Sequence, residues 1–190
     1  LILFNHDENT LTESSQKDDN TIAIFLNEDL MKNSQKKLLD STKSIFEPGE
    51  YEVNNIPIQS HAVKLNTENV DESTNIYSVI SEGMTICYLN EISKISIPAN
   101  VTESIGKIDI LVCISNDSSD QSVESINSLL SSIDPKVLLI AEKGSNEETT
   151  EIYSKLIKGL GQNSEDPSIN ANITKSGIGD SLKVVNLKKS

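Results

Sequence analysis

At 190 residues the chain has the length of one domain and can bury a proper core. Its net charge of −13 and its lack of tryptophan exclude a phosphate-neutralising nucleic-acid surface and binding to an anionic membrane. No apolar run approaches the roughly 20 residues of a membrane-spanning helix.

Taken in chain order, the sequence opens on an apolar run, Leu1-Ile2-Leu3-Phe4, followed by polar residues 5–20 that read as loop. Residues 21–26 are β-branched and apolar and predict a strand. Residues 27–43 carry a loose helical pattern around Leu30, Met31, Leu38 and Leu39. Pro48-Gly49 marks a turn. Residues 51–53 and 56–58 flank Asn54-Asn55, a two-residue hairpin turn of residues that tolerate positive φ. Residues 66–73 read as an acidic loop. A second hairpin joins 75–80 to 85–89 around Ser81-Glu82-Gly83-Met84.

From there the pattern becomes strand–helix–strand–helix. Residues 98–105 predict a short helix stopped by Gly106, and 108–114 a strand too continuously apolar to have a wet face. Val123, Ile126, Leu129, Leu130 and Ile133 recur at helical spacing over 120–133, and Asp134-Pro135 ends that helix. Residues 137–141 predict another buried strand. Ser145 and Glu148 form a capping box opening a helix over 146–160, striped by Ile152, Tyr153, Leu156, Ile157 and Leu160 and ended by Gly159 and Gly161. Residues 169–174 and 182–187 read as closing strands. The expected fold class is α/β (α+β), a mixed sheet covered by helices, in a single domain over 1–190 with a polar variable stretch at about 8–44. Cys87 and Cys113, each inside an apolar strand, read as buried free thiols, which points to a reducing, cytoplasmic compartment.

Four segments in order resemble the metallo-β-lactamase-fold hydrolases, in particular the branch similar to ascorbate-6-phosphate lactonase. Leu1-Ile2-Leu3-Phe4-Asn5-His6-Asp7 is similar to the strand entering that family's His-x-His-x-Asp-His metal loop. Pro48-Gly49-Glu50-Tyr51-Glu52-Val53 with the Asn54-Asn55 turn resembles the branch's hairpin. Residues 74–92 resemble the strand pair that ends in Cys-His-x-Gly-Asp. Residues 105–112 resemble the strand before the family's last helical crossover. The resemblance implies an αββα sandwich. It also implies a chain incomplete at its N-terminus, with an unpaired sheet edge or exposed apolar face expected near residues 1–4 and 21–26.

A catalytic zinc site needs about three protein ligands and an open position for water, whose pKa the metal lowers towards ~7. Against the family pattern, His6 and Asp7 match, but Glu8, Thr10 and Leu11 stand at the next His, Asp and His positions. Cys87-Tyr88 replaces Cys-His, Asn90-Glu91 replaces Gly-Asp, Lys94 stands at a nearby histidine, and Glu142 stands where the last histidine belongs. His61 falls about four positions from the family's histidine after the hairpin and reads as a solvent-facing strand residue. The resemblance therefore implies a metallo-hydrolase-like protein without a working metal site, a pseudoenzyme with no cofactor. The alternative is an active metal-dependent lactonase or phosphodiesterase with His6, Glu8, Glu91 and Glu142 as ligands for Zn, Mn or Mg. A homo-oligomer or a protein partner stays open, and the substrate is not legible.

Overall fold

The computed structural model describes residues 2–5, 21–26, 28–34, 38, 40–66, 72–90, 95–114, 120–141, 147–162 and 167–187. Two sheets face each other. The smaller has three parallel strands in the order β1 (Ile2–Asn5), β2 (Ile22–Phe25), β3 (Lys43–Ile45). The larger runs β4 (Gly49–Val53), β5 (Ile56–Lys64), β6 (Ser73–Ser81), β7 (Met84–Asn90), β8 (Ile110–Ile114), β9 (Val137–Ala141), β10 (Lys183–Leu187) from edge to edge. Strands β4 to β7 pair antiparallel, and β7 to β10 pair parallel.

Both hairpins turn at the expected residues. Asn54 and Asn55 take φ 54° and 61°, and Glu82 and Gly83 take 52° and 72°, the left-handed pair whose twist suits a two-residue connection. The second turn is tighter than its sequence suggests, because the strands continue through Ser81 and Met84. Between the parallel strands lie α2 (Ala99–Ile105), α3 (Asp120–Ile133) and α4 (Glu147–Gly159). The expected cap at Ser145 lies outside the described residues. Helix α1 (Glu28–Ser34) realises the first half of the loose pattern at 27–43.

Side chains alternate across each strand, and the two faces of the large sheet are both covered. Cys87, Leu89, Leu111, Cys113, Leu138 and Ile140 meet Ile126 and Leu129 of α3 and Tyr153, Leu156 and Ile157 of α4. On the opposite face Ile58, Tyr77, Val79, Tyr88 and Ile114 meet Ile22, Ile24 and Ile45 of the small sheet. The far side of that sheet, Ala23 and Phe25, packs on Leu30 and Met31 of α1. Each fully buried side chain of this size contributes roughly 1.5–3 kcal/mol, so the interior lies in three seams between four layers, α, β, β and α. Helices α3 and α4 approach so closely that a Cβ on Gly159 would stand 2.9 Å from Val123 Cγ2.

Two expectations need correction. Residues 169–174 form no strand: after a single bridge from Ser168 to Leu187 the chain crosses the sheet end as a strap, with a 3₁₀ turn at Lys175–Gly177. Ile169 is 62% exposed, while Ile173 and Ile178 cover Met84, Ile110 and Val137, so the strap's apolar residues cap strand ends and do not alternate against a neighbouring strand. The edge expectation fails at residues 21–26. Strand β1 is an outer strand of the small sheet, but β2 is its centre, with residues 22–25 at most 1% exposed. No described helix is long and apolar enough to cross a membrane.

Cys87 and Cys113 are free and fully buried, as expected. Burial pushes the Cys87 thiol up to about 12, and burial with the neighbouring Cys87 raises Cys113 well above its ordinary value. Because the thiolate is the reactive form, neither should react with a disulfide reagent in the folded protein. Both should titrate after denaturation in urea; prompt reaction of either in native protein would contradict this packing.

Candidate functional site

Parallel pairing places the C-terminal ends of β7, β8 and β9 along one edge of the large sheet. Asn90 is in register with Ile114, and Ile114 with Ala141. With strands about 4.8 Å apart, Asn90 and Ala141 sit roughly 10 Å from each other at the same level. Strand β1 ends over this edge too, because the Phe4 ring stacks on Tyr88 with centroids 4.4 Å apart and planes inclined by 25°. The structure thus gathers the strand ends that precede three of the expected ligand positions. His6, Glu8, Glu91 and Glu142 themselves lie outside the described residues, as do Asp7, Thr10, Leu11 and Lys94.

The described residues at this edge have a different character from a metal centre. Tyr88 points between the two sheets and is 2% exposed. Asn90, two residues further along β7, faces the same way and is also buried, and its Oδ1 has no hydrogen-bond partner among the described residues. A neutral amide oxygen and a phenol stacked on phenylalanine do not make a zinc ligand set, which needs charged or imidazole donors. Among the described residues no group of three His, Cys, Asp or Glu could hold a metal ion.

His61 corrects a further expectation. It is half-buried, and its Nε2 is enclosed without a hydrogen-bond partner among the described residues. It shares the face of β5 that carries Val63 and is in register with Ile76, both packed in the helix-side core. That face turns away from the small sheet, so His61 cannot reach the edge where Tyr88 and Asn90 lie.

A polar cluster that no sequence motif announces lies beside Tyr88. Tyr77, in register with Tyr88, donates its hydroxyl to the Phe25 carbonyl of the small sheet in a short hydrogen bond. Asn75 Nδ2 donates to the Phe46 carbonyl at 2.7 Å and to Tyr77 Oη at 3.3 Å. Burial pushes the Tyr77 phenol up to about 12, against the opposing effect of its polar neighbours Ser60 and Asn75, so it stays a donor at any ordinary pH. The one signal available in the sequence is a tyrosine inside an apolar strand, whose hydroxyl must find a partner when buried.

Neither a protein-family model nor a curated protein sequence matches the chain. Solved structures do. A Thermotoga maritima protein assigned to the Zn-dependent hydrolases of the metallo-β-lactamase superfamily superposes with a TM-score of 0.65 at 15% identity, over 89% of this chain and 82% of its own. A Parabacteroides distasonis protein assigned as a metal-dependent hydrolase gives 0.51 at 15% identity, over 98% and 75%. The isothiocyanate hydrolase from Delia radicum gut bacteria gives 0.50 at 11% identity, over 96% and 72%. At such identities the likeness concerns architecture alone: the chain has the metallo-β-lactamase fold.

Proposed function

We propose that this chain is a metallo-β-lactamase-fold protein without a working metal site, kept for its fold or for binding rather than for hydrolysis. The observation that carries the reading is the Phe4–Tyr88 stack. By the resemblance, Tyr88 stands at a histidine position of the family's metal motif. Here the ring is enclosed in hydrocarbon between the sheets, so the place of an imidazole ligand is taken by core packing. Losing most ligands removes both metal affinity and the hydroxide that a metal would generate.

One observation favours a second reading. Asn90 Oδ1 is a buried acceptor with no partner among the described residues, which is the kind of group a cation satisfies, and Glu91 follows it directly. A carboxylate-rich site of His6, Glu8, Glu91 and Glu142, holding Zn, Mn or Mg in a lactonase or phosphodiesterase, is that alternative. Elemental analysis of protein purified with each metal separates the two, alongside a panel of lactones and phosphodiesters. The expected result is well under one metal per chain and no turnover above background. One tightly held metal, with turnover abolished by His6→Ala or Glu142→Ala, would establish the second reading instead.

A further inference from the structure

Independently of the metal question, we infer that a pocket on the same edge of the sandwich binds a primary alkylammonium group. The cavity, about 250 Å³, opens where the end of β2 and the β3–β4 connection face β5 and the start of β6. Its walls include Leu26, Phe46 and Pro48, which suit a short hydrocarbon chain.

Beside the Ser73 and Thr74 hydroxyls, which can donate or accept, the polar groups are acceptors. Asn75 is 93% buried at the pocket, being 7% exposed. Its orientation is fixed, since the Phe46 carbonyl can only accept and so demands Nδ2. Both N–H bonds are then committed, to Phe46 and to Tyr77 Oη. What Asn75 offers the pocket is its carbonyl oxygen, to which no described donor is bonded. Glu47 stands at the rim and makes no ion pair among the described residues. Glu28, also on the rim, pairs with Lys32 at 2.8 Å on an exposed surface, with both side chains 58% exposed, a contact that a competing cation can replace. No described Lys, Arg or His lines the cavity. Two carboxylates, a fixed amide oxygen and two hydroxyls that can accept, around an apolar wall, ask for a ligand that donates several hydrogen bonds, carries positive charge and has a short aliphatic body. An ammonium, with three donors and no acceptor, meets that description; a carboxylate or phosphate would be repelled.

The test is an amide-resolved NMR titration with n-butylammonium, n-butanol and butyrate. Saturable shifts at Leu26, Ala62 and Asn75 are expected with butylammonium alone. Glu47→Gln, an exposed and isosteric change, should weaken binding about tenfold through loss of a charge-assisted bond. Ala62→Trp, at an exposed lining position on β5, should abolish it by filling the cavity, with unchanged shifts elsewhere reporting an intact fold. Nα-acetyl-lysine N-methylamide tells a free amine from a lysine side chain of a partner, and tighter binding of either one supports the inference. Equal shifts with butanol, indifference to Glu47→Gln, or no saturation with either amine would overturn it.

Discussion

Replacing Tyr77 by phenylalanine should destabilise the protein by about 2 kcal/mol in urea unfolding, the usual cost of leaving buried partners unsatisfied. The ring keeps its place in the inter-sheet core, so no cavity forms. The change falls on one oxygen. Without it the Phe25 carbonyl, inside a fully buried residue, loses the donor that reaches it from 52 residues away, and Asn75 loses one of its two acceptors. Tyr77→Ala adds a cavity and should cost about 3–5 kcal/mol. Because Asn75 and Tyr77 share a bond, their deletions should not add, and a double-mutant cycle should return about 0.5–1.5 kcal/mol of coupling. A Tyr77→Phe variant as stable as the parent would mean that the bridge between the sheets is held by hydrocarbon alone.

At the opposite edge of the large sheet, Asp109→Ala is expected to cost about 2–3 kcal/mol. Asp109 is 6% exposed and joins three elements. Its Oδ2 accepts from the Thr85 N–H at 2.9 Å, its Oδ1 from Lys175 Nζ at 2.8 Å, and its backbone carbonyl from the N–H groups of Lys136 and Val137. The carboxylate thus ties the start of β7 to the strap over the sheet end. Asp109→Asn keeps an acceptor for Thr85 and should lose less. Lys175→Ala should lose under about 1 kcal/mol, since its ammonium is half exposed and the pair is screened.

The pH dependence has a definite sign. Burial alone would raise the Asp109 carboxyl, but the Lys175 bond, the Thr85 N–H and the charges of Lys175 and Lys107 together hold it below the ordinary 3.8. A carboxyl depressed in the folded state contributes stability above its unfolded pKa of about 3.9 and loses it as pH falls through the folded value. The stability difference between parent and Asp109→Asn should therefore be flat from neutral pH to about 5 and shrink below about 4. A difference that grows on acidification would reverse the assignment.

The second half of the fold is legible in the sequence because its signals are local. The runs at 110–114 and 137–141 need no partner to be recognised, and the stripe from Val123 to Ile133 identifies its own helix. The small sheet is much less so. Strand β3, Lys43–Ile45, exposes two of its three residues and has no pattern of its own; it exists because β2 lies beside it. The strap imitates a strand for a related reason, since Ile169, Ala171 and Ile173 alternate like one, yet among the described residues it bridges to the outer strand β10 at Ser168 alone. At the candidate site, period-two reasoning can turn Tyr88 and Asn90 to one side, but not towards Phe4, which meets Tyr88 only after the two sheets are stacked. The Tyr77 hydroxyl can be known to need an acceptor; which carbonyl answers depends on the tertiary structure.

In the large sheet each strand is hydrogen-bonded to the strand that follows it in the chain, from β4 through β10 without exception. Closing a loop costs entropy that rises with its length, and topologies dominated by near neighbours fold faster than those that wait for distant segments. This sheet can therefore be laid down in order, each new strand finding its edge already formed, while the small sheet, itself joined in the order β1-β2-β3, meets it through contacts distant in sequence such as that of Phe25 with Tyr77. The ordering implies a time sequence. In pulsed hydrogen-exchange during refolding, amides of β5 to β8 should become protected before those of β2, and the Phe25 carbonyl should meet its tyrosine last.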